Sequence, residues 1–182
     1  MIVFGRPLDL PILRTQRLVL EPLSPAHSAG MFALWSAPEV CLHSGPAQDY
    51  GGRPIDLPAR KPADSDRIID FFLRSAQAGA RFRWALRSRE AGEFVGAVGF
   101  NTLGPCSEIA YHQRPAFWGR GLMTEASQAA LGWLAARPGS QEVEAFIDPA
   151  NLASIALAMR LGLRPTGQSE DGAARYLMAL EP

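Results

Sequence analysis

The chain has 182 residues, 47% of them apolar, and its 18 basic and 18 acidic side chains cancel to no net formal charge. That length suits one domain, residues 1–182 together, around a single buried core. Neutrality leaves no general electrostatic footprint for nucleic acid or an acidic membrane surface, and no apolar run reaches the roughly 18 residues of a membrane span.

Elements follow in chain order. Arg17–Leu23 alternates apolar residues and reads as a first strand. Ser24-Pro25 reads as an N-cap with proline at the first helical position, opening a helix to about Ala37. Residues 44–62 form a Gly/Pro-rich connection without secondary structure, a length that points to function or disorder. A helix over about 63–78 carries Ile68, Ile69, Phe72 and Leu73 on one face and stops at Gly79. Phe82–Leu86, Phe94–Phe100 and Glu108–Tyr111 are strands of an antiparallel meander, separated by turn residues. Arg81, Arg83, Arg87 and Arg89 read as a solvated strand edge.

A helix then runs to about Ala136, with apolar positions 122, 126, 129, 130 and 133. Val143–Ile147 is strand, Asn151–Leu161 helix stopped by Gly162, and Arg175–Leu180 the last strand. This order implies an α/β (α+β) fold: a mostly antiparallel central sheet of six to seven strands, about four flanking helices, and one parallel β-α-β crossover. Cys41 and Cys106, like His27, His43 and His112, are scattered without ligand spacing, so no metal is expected. Reduced thiols and an N-terminus unlike a signal peptide point to the cytoplasm.

The most informative stretch is Phe117-Trp118-Gly119-Arg120-Gly121-Leu122-Met123-Thr124-Glu125-Ala126. Two glycines one residue apart lie between a strand and a helix. Such a turn gathers main-chain N–H groups into one hollow ahead of a helix N-terminus, which suits a phosphate or diphosphate. No G-x-x-x-x-G-K-[ST] is present, and the dinucleotide pattern fails because Met123, Thr124 and Ala126 follow Gly121.

Four segments in this order and spacing resemble the GNAT acyltransferase superfamily, in its Rim-type branch of enzymes similar to ribosomal-protein N-terminal acetyltransferases. They are Leu13-Arg14-Thr15-Gln16-Arg17-Leu18-Val19-Leu20, Glu108-Ile109-Ala110-Tyr111, the glycine turn itself, and Asp148–Ser154 followed by Leu161-Gly162-Leu163. The resemblance implies acetyl-CoA as cofactor, its diphosphate on the amides of Trp118, Gly119, Arg120, Gly121, Leu122, Met123 and Thr124. Ile109, Tyr111, Asn151 and Ser154 would line the rest of the cofactor site. It also implies a bulge near Ile109–His112 that frees main-chain amides to polarise the thioester.

Transfer to an amine further needs a base and an outlet for the thiolate. Glu108 is the candidate base, burial being expected to raise its carboxyl toward a useful range; His112 is the rival. Two positions depart from the superfamily pattern: Ala116 replaces a Gln or Arg, and Ala158 replaces the tyrosine that protonates the leaving thiolate. Ser154 is then the candidate acid, unless it serves only the helix terminus. Asn151 either caps that helix or bonds the pantetheine, and Glu125 reads as a first-turn carboxylate. Trp35 is a candidate for the acceptor entrance, Trp118 for cofactor packing. The implied activity is N-acetyl transfer to a primary amine, small or a protein N-terminus, by direct attack in a ternary complex, in a monomer or homodimer. The alternative is a catalytically silent acyl-CoA-binding protein of the same fold.

Overall fold

In the computed structural model, which describes residues 6–180, the first apolar alternation forms a two-residue β1 (Leu13–Arg14) and then β2 (Leu18–Pro22), with Leu18 and Leu20 fully buried. Ser24-Pro25 opens a single 3-10 turn over Pro25–His27, and the helix proper, α1 (Ser28–Trp35), starts only after it. Gly30 lets α1 lie close to the sheet, because a Cβ there would collide with the Phe94 ring. A one-turn α2 (Pro38–Cys41) follows.

The connection expected to be structureless holds a small ribbon, β3 (Ala47–Gln48) against β4 (Pro54–Ile55). Asp49 organises it. Its carboxylate accepts the amides of Gly51 (3.0 Å) and Arg53 (2.9 Å), Nε of Arg53 (2.9 Å) and Nη2 of Arg67 (2.9 Å). These donors, the Arg53 amide first, hold the Asp49 carboxyl far below the usual carboxylate range.

Next come α3 (Pro62–Gln77), β5 (Phe82–Ser88), β6 (Phe94–Thr102), β7 (Cys106–Gln113), α4 (Leu122–Ala135), β8 (Glu142–Ile147), α5 (Leu152–Leu161), β9 (Arg164–Glu170) and β10 (Ala173–Ala179). The eight strands lie in the order β1-β2-β5-β6-β7-β8-β10-β9, antiparallel throughout except for β7 and β8. That pair is joined through α4, the β-α-β crossover the element order required. The fold is the mixed α/β architecture expected, but its central sheet has eight strands where six to seven were expected, a two-stranded ribbon is added, and there are five α-helices among the described residues where about four were expected.

Two apolar clusters flank the sheet. Against one face, Leu122, Ala126, Ala130 and Leu134 of α4, with Leu157 and Ala158 of α5, meet Phe82, Trp84, Val98, Phe100 and Ile109. Phe82, Trp84 and Trp133 pack edge-on there, with ring centroids 4.7–5.1 Å apart. Against the other face, Met31, Leu34 and Trp35 of α1 pack with Ile68, Ile69 and Phe72 of α3 over Ala85. Arg83 belongs to this second face and is only 5% exposed, so it is no part of a solvated edge.

One irregularity creates the site. β7 and β8 pair over three registers alone, Cys106–Glu142, Ser107–Val143 and Glu108–Glu144. β7 continues to Gln113 and β8 to Ile147 without pairing to each other, so a wedge opens in the middle of the sheet. The expected bulge in β7 is absent. The slip lies in β6, where Phe100 faces Ile109 and Thr102 faces Glu108, leaving Asn101 as the extra residue. Loss of the strand partner, and not a bulge, frees the β7 amides. Arg114 donates its amide to Val95 and Glu108 donates to Thr102 Oγ1 (3.1 Å), so even positions face β6. Alternation turns the odd amides toward β8, where the Glu108–Glu144 rung uses that of Ile109 and the amide of Tyr111 is the first to face the wedge.

Candidate active site

At the wide end of the wedge, β7 passes through Pro115–Phe117 into the glycine turn. Gln113 secures the approach: its Nε2 donates to the Phe117 carbonyl (2.7 Å), and its own carbonyl accepts Trp118 Nε1 (2.8 Å). Trp118 therefore stands on the rim, 49% exposed, instead of plugging the sheet. Gly119 and Gly121 both have φ of 71°, a left-handed conformation that side chains resist. The result is a run of donors without acceptors. Among the described residues, the amides of Gly119, Arg120, Gly121, Leu122, Met123 and Thr124 have no hydrogen-bond partner, and Glu125 is the first to bond, to the Gly121 carbonyl (3.1 Å). Six consecutive free amides at the head of a 14-residue helix form a seat for an anion.

The seat is pinned from behind. Glu125 accepts Thr15 Oγ1 (2.5 Å), the Arg17 amide (2.7 Å) and Arg17 Nε (2.7 Å), and Arg17 Nη1 bonds the Arg120 carbonyl (2.9 Å). Arg17 thus engages the Arg120 carbonyl at the tip of the turn, while Thr15 helps hold Glu125. Glu125 is a strut, and these bonds keep its carboxyl below its ordinary value although burial opposes them.

At the narrow end, Glu108 lies on the α1/α3 face beside its register partner Glu144. Asn101, the extra residue of β6, donates Nδ2 to Glu108 Oε1 (2.8 Å) and accepts Arg83 Nη2 on its oxygen (2.5 Å). Arg83 also donates to the Phe82 carbonyl (2.9 Å) and lies over the Phe72 ring, 4.2 Å from its centroid. Burial pulls its guanidinium down to about 9, with Glu108 opposing, so it stays charged at neutral pH. The like charges of Glu108 and Glu144 are held apart by separate partners, since Glu144 binds Arg175 Nε at 2.7 Å. An open cleft of about 590 Å³ borders Glu144, Phe146, Gln168, Ser169, Glu170 and Arg175 on this same face.

His112 lies on the Glu108 face too, its ring 4.5 Å from that of Trp35. It keeps an accessible edge, yet the protein crowds it, and burial with the nearby Arg83 charge pushes it down to about 3. A group that reluctant to take a proton is a poor base at neutral pH. Trp35 is buried between α1, α2 and α3, behind His112. On the other face, Tyr111 reaches Ser154, with Oη 2.8 Å from Oγ. Asn151 Oδ1 accepts the Ser154 amide (3.1 Å), so Asn151 caps α5. A second contact crosses the wedge mouth, where His43 Nδ1 meets Asp148 Oδ2 at 2.7 Å.

An acetyltransferase (GNAT) domain model matches residues 17–164, more than three quarters of the chain. The chain belongs to the GNAT acetyltransferase family. It is 26% identical over 160 residues to the uncharacterised N-acetyltransferase YoaA of Bacillus subtilis, covering 86% of this chain and 85% of that one. Among solved structures it resembles the Salmonella typhimurium acetyltransferase that modifies the N-terminal serine of ribosomal protein L7/L12 (TM-score 0.75, 17% identity, 93% and 99% of the two chains). It also resembles RimL, a ribosomal L7/L12 α-N-protein acetyltransferase, in complex with coenzyme A (TM-score 0.74, 19% identity, 93% and 97%).

Within this GNAT frame, Ala158 is buried in α5 and supplies no acid. Ala116 is exposed at the start of the turn, where the six free amides do not depend on its side chain. Sequence reasoning missed Asn101, Arg83, the Thr15–Arg17 pin and the His43–Asp148 contact. The pin alone had a local signal, in Leu13–Leu20; the others meet only through strand register and tertiary packing.

Proposed function

We propose that this GNAT protein is an acetyl-CoA-dependent N-acetyltransferase acting on a primary amine by direct attack in a ternary complex. The observation that carries the reading is the run of six unpaired amides, Gly119–Thr124, opening onto the wedge. Amide donors to a charged acceptor contribute about 1.5–3 kcal/mol each, so such a seat suits a diphosphate. From Gln113 back to Glu108 the strand covers about 17 Å, a span suited to an extended pantetheine arm. The coenzyme A complex of RimL supports the same cofactor here.

In this scheme the amide of Tyr111 faces the thioester carbonyl and stabilises negative charge on its oxygen, such a donor being worth roughly 3 kcal/mol in the transition state. Glu108, oriented by Asn101, removes the proton from the attacking nitrogen directly or through water. The open cleft beside Glu144 gives the amine its approach. A protein N-terminus, as in the Salmonella relative, and a small amine both fit the reading. Two unpaired cysteines, Cys41 and Cys106, fit a reducing cytoplasm.

The second reading, a silent acyl-CoA binder, rests on the missing acid at Ala158. Calorimetry with acetyl-CoA, followed by a mass-spectrometric acetylation screen of N-terminal peptides beside small amines, tests both. Binding with acetylated product is expected. Binding without turnover on any amine favours the silent form, and absence of binding overturns both.

A further inference from the structure

Arg83 is a buried cation without a direct counter-ion. It is 5% exposed, and its partners among the described residues are the Phe82 carbonyl, the Phe72 ring and the Asn101 oxygen, all uncharged. An apolar side chain of similar size would hold that place in the core as well or better, so packing alone does not account for the charge. The reason lies one side chain further. Asn101, the extra residue at the β6 slip, bridges Arg83 of β5 and Glu108 of β7. A guanidinium can only donate, so the amide oxygen of Asn101 must turn to Arg83 and its NH2 must turn to Glu108. Without Arg83 the amide is free to flip and set its oxygen against the carboxylate. The next strand offers a contrast. Glu144 takes Arg175 Nε directly at 2.7 Å, which commits Oε2 to an ion pair. Glu108 receives one neutral N–H on Oε1, and its Oε2 has no partner among the described residues.

We propose that Arg83 is a positioning residue for the transfer: it locks the Asn101 amide so that Glu108 is gripped by Oε1 and presents Oε2 to the amine. The inference rests on the acetyltransferase reading, with Glu108 as the base. As the C–N bond forms, the surplus proton passes from nitrogen to Oε2 and on to solvent. The electron pair of the C–S bond leaves with sulfur. Arg83 takes no proton in this sequence and acts through Asn101 alone. Direct contact with Glu108 would tie the carboxylate up as Arg175 ties up Glu144; the intervening amide orients it and leaves one oxygen open.

The test uses the full chain and follows thiol release with the best acceptor of the screen. Replacing a buried ion by an apolar side chain is often neutral or stabilising, so Arg83→Met should fold. Its kcat should fall roughly thirtyfold, because a misdirected base forfeits most of its general-base catalysis. Arg83→Lys, which keeps a donor for the Asn101 oxygen, should return to within about threefold of the parent. Added to Asn101→Leu or to Glu108→Gln, Arg83→Met should cost less than about twofold more, since all three act on one proton transfer. The acetyl-CoA Kd from calorimetry and the KM for the amine should stay within about twofold of the parent. Parental kcat in Arg83→Met, no recovery in Arg83→Lys, losses that multiply, or a loss confined to Kd or KM would each overturn the proposal. Should Arg83→Met or Asn101→Leu alone fail to fold, the two combined leave neither charge nor amide unpaired and carry the same expectation and the same refutation. A parent that acetylates no amine, or a Glu108→Gln variant with parental kcat, would instead remove the reading beneath it.

Discussion

The two ends of the wedge are built in opposite ways. The glycine turn offers main-chain donors: they come from consecutive residues, and its rigidity from one strut, Glu125, clamped by Thr15 and Arg17. The Glu108 end offers side chains drawn from β5, β6, β7 and β8, brought together by strand register. A main-chain site survives most side-chain changes but fails when backbone conformation is forbidden. A side-chain site fails one atom at a time.

Glu108→Gln breaks the second end most sharply. It keeps the bond to Asn101 by an amide flip but takes no proton, so kcat near neutral pH should fall about 100-fold with acetyl-CoA affinity intact. A parent-like pH–rate profile would remove Glu108 as base. Gly119→Val attacks the first end. No atom lies within 4 Å of its would-be Cβ, so the damage comes through the positive φ alone. Its acetyl-CoA Kd should rise roughly 30-fold by calorimetry. Unchanged affinity would mean that the turn does not bind by its amides.

His112 sharpens the contrast through stability. With a folded value of about 3 against 6.5 ordinarily, the unfolded chain binds a proton that the folded chain refuses in this window. Stability therefore falls as pH drops below the ordinary value and levels off near the folded one. Between neutral and about pH 4.5, urea titrations should show the parent losing about 2–3 kcal/mol more than His112→Asn. Equal losses would show that His112 protonates freely. Arg17→Ala has the smallest expected effect, because the ion pair is half exposed. Acetyl-CoA affinity should weaken roughly threefold and kcat stay unchanged. A large loss would mean that the guanidinium itself touches the ligand.

What the sequence disclosed follows the same division. The turn was legible because the chemistry of Gly119 and Gly121 is local, and helical spacing located α4. β9 gave no signal: Arg164–Glu170 is exposed along its whole length, so no apolar alternation marks it. The β3–β4 ribbon depends on Asp49 reaching Arg67 across 18 residues, which no local pattern records. Asn101 became a bridge only because the register slips in β6, and Arg83 looked solvated because strand arginines usually are. Glu125 was read for its position in the helix, while its partners, Thr15 and Arg17, lie more than 100 residues away.

The early parting of β7 from β8 has a further consequence for the protein as a whole. Two half-sheets, one ending in β7 and the other beginning with β8, are stitched by three rungs, the α4 connection and a few side-chain bridges. A ligand lying between them completes the missing ladder and becomes a structural member of the sheet. Coenzyme A should then slow amide exchange at Tyr111 and raise the thermal midpoint of the entire fold. In that sense the protein reaches its full stiffness only when loaded.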